Sequence, residues 1–488
     1  MNSPASPRML RYAIIGAGMS GILAAKRLLE RGEREVTVFE KADRVGGTWR
    51  ENRYPGLTCD VMAHAYTYSF APNPDWSAVM AGGAEIREYF EAVWRRHGID
   101  RITRFGAEVT TLEWRDGCWA LEASDGTRGE FEVVIVASGV LHHPSVPDLP
   151  GLDTFAGPSF HTARWPGELT LEGRSVGIIG NGSTGVQIVS ALAGRCRLTQ
   201  FQRTPQWIMK IDNRAFSAEE RAHFRAHPEV VEAIRQDPEY VRLVKRFNDA
   251  IVNPDSPEMA EIEAAALQYL ETAVVDPVLR AKLRPDYRAA CKRLIYSCDY
   301  YEAVQRPGTS VVREAIRAIE PAGVRTADGV LHELDILVLA TGFHADRFIR
   351  PTRVTGRGGV TLDERWAVRP SAYLAVTLPD FPNLFLLNGP TGPVGNFSLI
   401  DIAEAQWGYI DQLIDELRAG QCRAISPTAA AMTDYDRRRV EAARKTIFAS
   451  GCRSWYLDGE GVPSTWPWVY SAFFAAMAKP DPAAYERA

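Results

Sequence analysis

Two glycine-spaced turns govern what this chain can fold into. Gly16-Ala17-Gly18-Met19-Ser20-Gly21 follows the apolar run Tyr12-Ala13-Ile14-Ile15 and leads into Ile22 to Leu29, which is apolar at helical spacing. Gly180-Asn181-Gly182-Ser183-Thr184-Gly185, 164 residues further on, follows Ser175 to Ile179 and leads into a helical stretch from Val186 to Ala193. A second strand continues each unit, Val36 to Phe39 in one and Leu198 to Phe201 in the other. This order begins a doubly wound parallel sheet. The first glycine makes the turn, the second admits a pyrophosphate, and the third lets the helix pack on the sheet. The helix start then offers free N–H groups to an anion. The expected fold is therefore α/β, with two Rossmann-like dinucleotide-binding domains.

The two units end differently. Glu40 stands 19 residues after Gly21, where a carboxylate accepts hydrogen bonds from an adenosine ribose. Arg203 stands 18 residues after Gly185, where a guanidinium suits a 2'-phosphate. The difference assigns FAD to the first site and NADPH to the second.

Between Gly194 and Gly308 the chain has no glycine, although 39 in 488 residues predicts about nine there. Residues 215–292 carry Glu, Ala, Arg and Leu at helical spacing with proline as punctuation, which predicts a helical insert. Strands resume at Ser310-Val311-Val312 and at Leu334 to Leu339. The latter ends in Ala340-Thr341-Gly342, as Val133 to Val136 ends in Ala137-Ser138-Gly139. Residues 1–10 lack periodicity and read as a frayed start. The domains expected are an FAD-binding domain at 1–142 and 345–488, an NADPH-binding domain at 152–214 and 293–340, and the insert at 215–292.

Composition removes several function classes. With 56 Lys and Arg against 61 Asp and Glu, net charge is -5, so no basic field exists for nucleic acid or an anionic membrane. Apolar runs reach five to seven residues, against about 20 for a membrane-spanning helix. Seven scattered cysteines without a C-x-x-C pair, in a chain without a signal peptide, read as reduced thiols in a cytoplasm, with no metal site. Disulfide reductases also pair two nucleotide domains, but they need two neighbouring redox cysteines, and Cys59 stands alone near the first turn. A reduced flavin here is expected to pass electrons to oxygen or directly to a substrate.

One string narrows the chemistry. Phe155-Ala156-Gly157-Pro158-Ser159-Phe160-His161-Thr162-Ala163-Arg164-Trp165-Pro166 resembles the F-x-G-x-x-x-H-x-x-x-W-P fingerprint of type I Baeyer-Villiger monooxygenases, within the flavin-containing monooxygenase superfamily. Gly46-Gly47-Thr48-Trp49, Tyr54-Pro55-Gly56 and Asp60 resemble the family's second fingerprint. The resemblance implies FAD contacts at Gly47, Thr48, Trp49, Asp60, Tyr66 and Asn388, the last within the loop Asn388 to Asn396. It implies NADPH contacts at Thr204, Lys292 and Arg293, a domain-motion role for His161 and Trp165, and a substrate contact at Trp455. Cys291-Lys292-Arg293-Leu294-Ile295-Tyr296 looks like the family segment whose arginine meets the fingerprint aspartate, so Asp60 and Arg293 are the implied catalytic pair. In that chemistry a flavin C4a-peroxide attacks a ketone, and a permanent cation stabilises both the peroxide anion and the adduct. At position 63, where the family often carries a small hydroxyl residue, this chain has Ala63.

The function expected is FAD- and NADPH-dependent insertion of one oxygen atom from O2 beside a ketone carbonyl, giving an ester or lactone. Oxygenation of sulfur or nitrogen is the alternative within the superfamily. A redox sensor that binds both nucleotides without turnover is the alternative from another class.

Overall fold

Each glycine turn follows the central strand of a five-stranded, all-parallel sheet. In the computed structural model, which describes residues 8–394 and 398–488, the first sheet runs Leu384–Leu386, Val133–Val136, Tyr12–Ile15, Val36–Phe39, Thr103–Arg104. The second runs Thr309–Val312, Arg197–Phe201, Ser175–Ile179, Ile336–Leu339, Ser159–His161. The central strands are buried on both faces, as parallel sheets require. Tyr12 and Ile14 enter one core with the helix Leu399–Arg418, while Ala13 and Ile15 enter another with Trp119 and Trp366.

The helices after the turns, Met19–Glu30 and Ser183–Leu192, begin earlier than the apolar spacing predicts. The reason is steric. Gly21 and Gly185 already lie inside the first turn, where a Cβ would fall 1.9 Å from the Gly16 carbonyl oxygen and 2.3 Å from that of Gly180. Each sheet also carries an antiparallel extension just before its Val133–Val136 or Ile336–Leu339 strand. The first comprises Val109–Arg115, Cys118–Ala123 and Arg128–Phe131, joined by Arg353–Thr355; the second comprises Ile316–Glu320, Gly323–Thr326 and Leu331–Glu333.

Between Arg197–Phe201 and Thr309–Val312 stand the helices Ala218–Ala226, Pro228–Arg235, Pro238–Val252, Pro257–Ala273 and Pro277–Leu283. Four of them start on proline, whose fixed φ suits the first helical position. Asp237, Ser256 and Asp276 cap three of these by accepting backbone N–H bonds. Four of the six prolines that punctuate residues 215–292 are therefore helix starts, while Pro254 and Pro285 lie in the connections.

The chain passes between the sheets twice, after Val136 and after Leu339, and the two crossings run side by side. Pro144 bridges Phe343, Ser145 N–H donates to the Gly342 carbonyl at 2.8 Å, and His344 N–H donates to that of His143 at 2.9 Å.

Two expectations need correction. Of the start read as frayed, residues 1–7 lie outside the described residues, but Arg8 N–H donates to the Arg418 carbonyl at 2.8 Å and Leu10 is buried. The cysteines are not all thiols: Cys291 and Cys452 form a disulfide. The fold brings together two residues 161 positions apart, which sequence spacing does not reveal. Among the described residues, no helix is long and apolar enough to cross a membrane.

Candidate active site

The first glycine turn opens into a cavity of about 730 Å3. Its wall includes Gly16, Gly18, Glu40, Gly47, Thr48, Trp49, Asp60, Tyr66, Ser183, Thr184, Arg293, Asn388 and Trp455, drawn from both sheet units and from the C-terminal loops. The wall does not include Gly21, Gly180, Gly182, Gly185, His161, Trp165, Arg203, Thr204 or Lys292.

The nucleotide ends are built for anions. Both helices start on glycine caps without a side-chain hydrogen bond and have no acidic residue in the first turn, so their leading N–H groups face outward unopposed by side chains. A Cβ on Gly182 would meet nothing within 4 Å, whereas one on Gly18 would meet Gly47 Cα at 3.4 Å. One turn faces open space and the other faces a second glycine backbone. Glu40 accepts from Ala17 N–H at 2.8 Å through one oxygen and from Ala42 N–H at 2.9 Å through the other, which fixes the buried carboxylate at the cavity edge.

Further residues finish the cavity. Trp49 Nε1–H donates to the Tyr66 hydroxyl at 3.1 Å, and burial pushes that hydroxyl's pKa well above its usual value, keeping its proton in place. Asn388 Nδ2 donates to Ser20 Oγ at 2.9 Å, while its buried Oδ1 has no protein partner among the described residues. Such an acceptor suits a ligand donor. Gly395 and Asn396 of the loop implicated with Asn388 lie outside the described residues.

Asp60 and Arg293 meet directly. The Arg293 guanidinium donates to Asp60 Oδ2 across a sequence separation of 233, with both side chains partly buried. Burial opposes the guanidinium charge, but Asp60 and the neighbouring Tyr456 outweigh it and hold the pKa above its ordinary value. The result is a permanent cation in the cavity wall.

Outside that wall, Arg203 is exposed, and burial together with the Arg203 charge holds the Lys292 ammonium below its usual range. Neither forms an ion pair with another described residue, which leaves two cations ready for an anionic group. Lys292 Nζ lies 4.5 Å over the Tyr287 ring, and the Thr204 carbonyl accepts from Asn181 Nδ2 at 2.8 Å.

His161 ends the edge strand of the second sheet and is not a free linker residue. Its Nδ1 accepts from Ala163 N–H at 3.1 Å, so the ring proton sits on Nε2 and is donated to the Gly342 carbonyl at 2.9 Å. Gly342 belongs to the crossing segments. Trp165 packs edge-on against Phe160 in the core beneath. Ala63 is buried in the first core and takes no part in the cavity wall.

Sequence reasoning missed three contributors. Tyr456 is buried beside Arg293 and interacts with its charge. Gln187 accepts from the Tyr54 hydroxyl at 3.0 Å and donates to the Thr58 carbonyl at 3.0 Å, docking the second fingerprint onto the helix of the second unit. Arg164 of the first fingerprint pairs with Glu51 beside the second. Arg164 lies within the first fingerprint, whereas no sequence signal marks Gln187 or Tyr456.

Two sheets wound alike, each with an anion-ready helix end, and one cavity walled from both units define a class of oxidoreductase that works with two dinucleotides. A family model described as an NAD(P)-binding Rossmann-like domain matches residues 14–82. An uncharacterised monooxygenase of Mycobacterium tuberculosis is 42% identical over 97% of this chain and 95% of its own length. A Baeyer-Villiger monooxygenase of Streptomyces coelicolor is 38% identical over 98% of this chain and 92% of its own. A crystal structure of cyclohexanone monooxygenase from Rhodococcus bound to NADP+ superposes with a TM-score of 0.85 at 32% identity, over 97% of each chain. The chain belongs to the Baeyer-Villiger monooxygenase family.

Proposed function

We propose that Arg293 and Asp60 are the catalytic pair of an FAD- and NADPH-dependent Baeyer-Villiger oxygenation in which a ketone gains one oxygen atom from O2 and leaves as an ester or lactone. The observation that carries this reading is the Asp60–Arg293 pair in the wall of a cavity shared with both nucleotide units. Bound FAD supplies oxygen activation, and NADPH supplies the hydride that reduces it.

The chain's own residues do the rest. The uncapped helix starts bind the phosphates, and Glu40 keeps lone pairs free for ribose hydroxyls. Asn388 Oδ1 and the Tyr66 hydroxyl offer an acceptor and a donor to FAD. Arg203 and Lys292 take the 2'-phosphate of NADPH, with Thr204 beside them. Arg293 holds a fixed positive charge toward the oxygen on which negative charge grows, and Asp60 fixes its direction. Val61, Val394, Trp455 and Leu457 give the cavity an apolar side that keeps water from the reacting atoms.

In this reading residues 1–142 and 345–488 hold FAD, residues 152–214 and 293–340 hold NADPH, and 215–292 are an insert in the latter. His161 and Trp165 tie the first fingerprint to the movement between the two parts. The enzyme works in the cytoplasm, where NADPH is regenerated. Incubating the yellow protein with NADPH, oxygen and a panel of linear, cyclic and aryl ketones and sulfides, with products identified by mass, tests it. Esters or lactones are expected; sulfoxides alone, or NADPH consumption without any oxygenated product, would overturn it.

A further inference from the structure

The Cys291–Cys452 disulfide joins the two segments that carry the chemistry. Cys291 stands two residues before Arg293, and Cys452 stands three before Trp455 and four before Tyr456. Tyr456 in turn lies beside Arg293, interacting with its charge, and packs its ring against Phe448 at 4.4 Å. The backbone from Cys291 to Arg293, the Arg293–Tyr456 contact, the backbone from Tyr456 to Cys452 and the disulfide therefore form a closed ring.

That ring matters at the start of the loop, because the other ties hold its far end: Arg369 pairs with Asp458 and Glu460, Arg439 donates to the Pro463 carbonyl at 2.9 Å, and Trp466 N–H donates to the Gly392 carbonyl at 3.1 Å, leaving the core packing of Tyr456 on the near side. Between Ala449 and Tyr470 there is neither helix nor strand. Tyr456 N–H donates to Ser454 Oγ at 3.1 Å and Ser464 N–H donates to the Tyr456 carbonyl at 2.7 Å, which are local turns rather than a scaffold. The other five cysteines are free, so the bridge is specific to this spot.

We infer that the Cys291–Cys452 bridge is a positioning element for oxygen transfer, holding Trp455 and Tyr456 against Arg293, and that a dithiol opens it and loosens that arrangement. The inference rests on the reading of Arg293 given above. In a cytoplasm, where bridges are chiefly transient or redox-sensing, such a link is reversible. Cys291 is fully buried and Cys452 retains 9% exposure, so attack falls on Cys452 sulfur. A thiolate of the reductant bonds to that sulfur and displaces Cys291 as thiolate. The reductant's second thiol then displaces Cys452. The bridge gains two electrons and two protons, and the dithiol leaves as its own disulfide.

The test compares air-purified holoenzyme, the same sample after dithiothreitol, and a reoxidised portion. Peptide mass mapping reports the link, hydrogen exchange reports residues 450–457, and ester formed per NADPH reports coupling. Opening the bridge should raise exchange in 450–457 and lower ester yield at least threefold, with hydrogen peroxide making up the difference. Anaerobic flavin reduction should stay within about twofold, and reoxidation should restore coupling. The Cys291→Ser/Cys452→Ser double variant should behave as the reduced enzyme and ignore dithiothreitol. A mass map with free thiols in the air-purified protein overturns the inference, as does an opened bridge with unchanged exchange and coupling. Raised exchange with no ester from either form supports the tether and overturns the ketone reading instead.

Discussion

Arg293 and Asp60 are hydrogen-bonded although 233 residues separate them in sequence, and the aspartate comes from the first sheet's unit while the arginine follows the helical insert. In the mechanism proposed above, hydride transfer does not need this cation, whereas oxygen transfer does. Arg293→Ala should still be bleached by NADPH without air but should release hydrogen peroxide in place of ester. Loss of one preorganised donor costs about 2.7–4 kcal/mol, so ester formation should fall roughly a hundredfold to a thousandfold. Asp60→Ala should fall less. Anaerobic stopped-flow reduction paired with product analysis checks both, and an unchanged ester yield in Arg293→Ala would remove it from the mechanism.

Coenzyme choice should follow Arg203. A charge-assisted contact is worth about 1.5–3 kcal/mol, so NADPH should exceed NADH at least about tenfold in kcat/KM. Arg203→Ala should erase most of that preference while leaving the protein yellow. Equal efficiency of the two coenzymes in the unmodified enzyme would refute the assignment.

The two glycine turns should respond differently to a side chain. Gly182 has φ -66° and open space around its Cβ, so Gly182→Val should fold normally, retain FAD and lose reduction by NADPH. Gly16 has φ +105° and a Cβ would lie 2.6 Å from the Ala137 carbonyl oxygen, so Gly16→Val should be colourless and less stable. Absorbance at the flavin maximum and thermal melts distinguish them; a colourless Gly182→Val would exchange the two sites.

Acid should destabilise the fold through buried neutral histidines. His64 packs between Phe216 and Phe224 with neither ring nitrogen hydrogen-bonded to a described residue, and burial takes its pKa from 6.5 to about 4. Above pH 6.5 both folded and unfolded chains hold this ring neutral. As pH falls from 6.5 toward 4, only the unfolded chain gains the proton, and about 3 kcal/mol is lost in the limit. His142, also lowered to about 4 chiefly by burial, adds to the same window. His64→Phe should flatten the slope of stability against pH there by close to one proton; an unchanged slope in urea titrations would count against it.

The central strands and the residues on their glycine turns were legible because each strand is short, apolar and followed at once by its turn: Tyr12–Ile15, Val36–Phe39, Val133–Val136 and Ser175–Ile179 fall where the apolar runs stand. Edge strands were not. The sequence places His161 on a linker because Ser159–His161, a strand with one covered edge and exposed Ser159, lacks the buried apolar signature. The antiparallel extensions are less legible: Trp119, Leu121 and Ala123 alternate with outward Ala120 and Glu122, but the strand is short and its partner's period is broken by a register shift between Val109 and Thr111. At the site, the fingerprints drew Asp60, Arg293, Trp49 and Trp455 to one cavity, but Tyr456, Gln187 and the disulfide depend on which distant segments touch. No local pattern encodes that.

The paired crossings between the sheets carry a mechanical consequence. One extended strand between two bodies is a swivel: its φ and ψ torsions let them twist, tilt and translate. Here the second strand lies antiparallel to the first and is stitched to it at Ser145, Gly342, His143 and His344, with His161 adding a bond to the Gly342 carbonyl. Twisting one body about the long axis of such a ribbon would shear those bonds, whereas flexing across its flat face lets them survive. The connection therefore acts as a door hinge rather than a ball joint. On the domain-motion role proposed for His161 and Trp165, such a connection would favour one direction of displacement over the others and limit the entropy lost on closure.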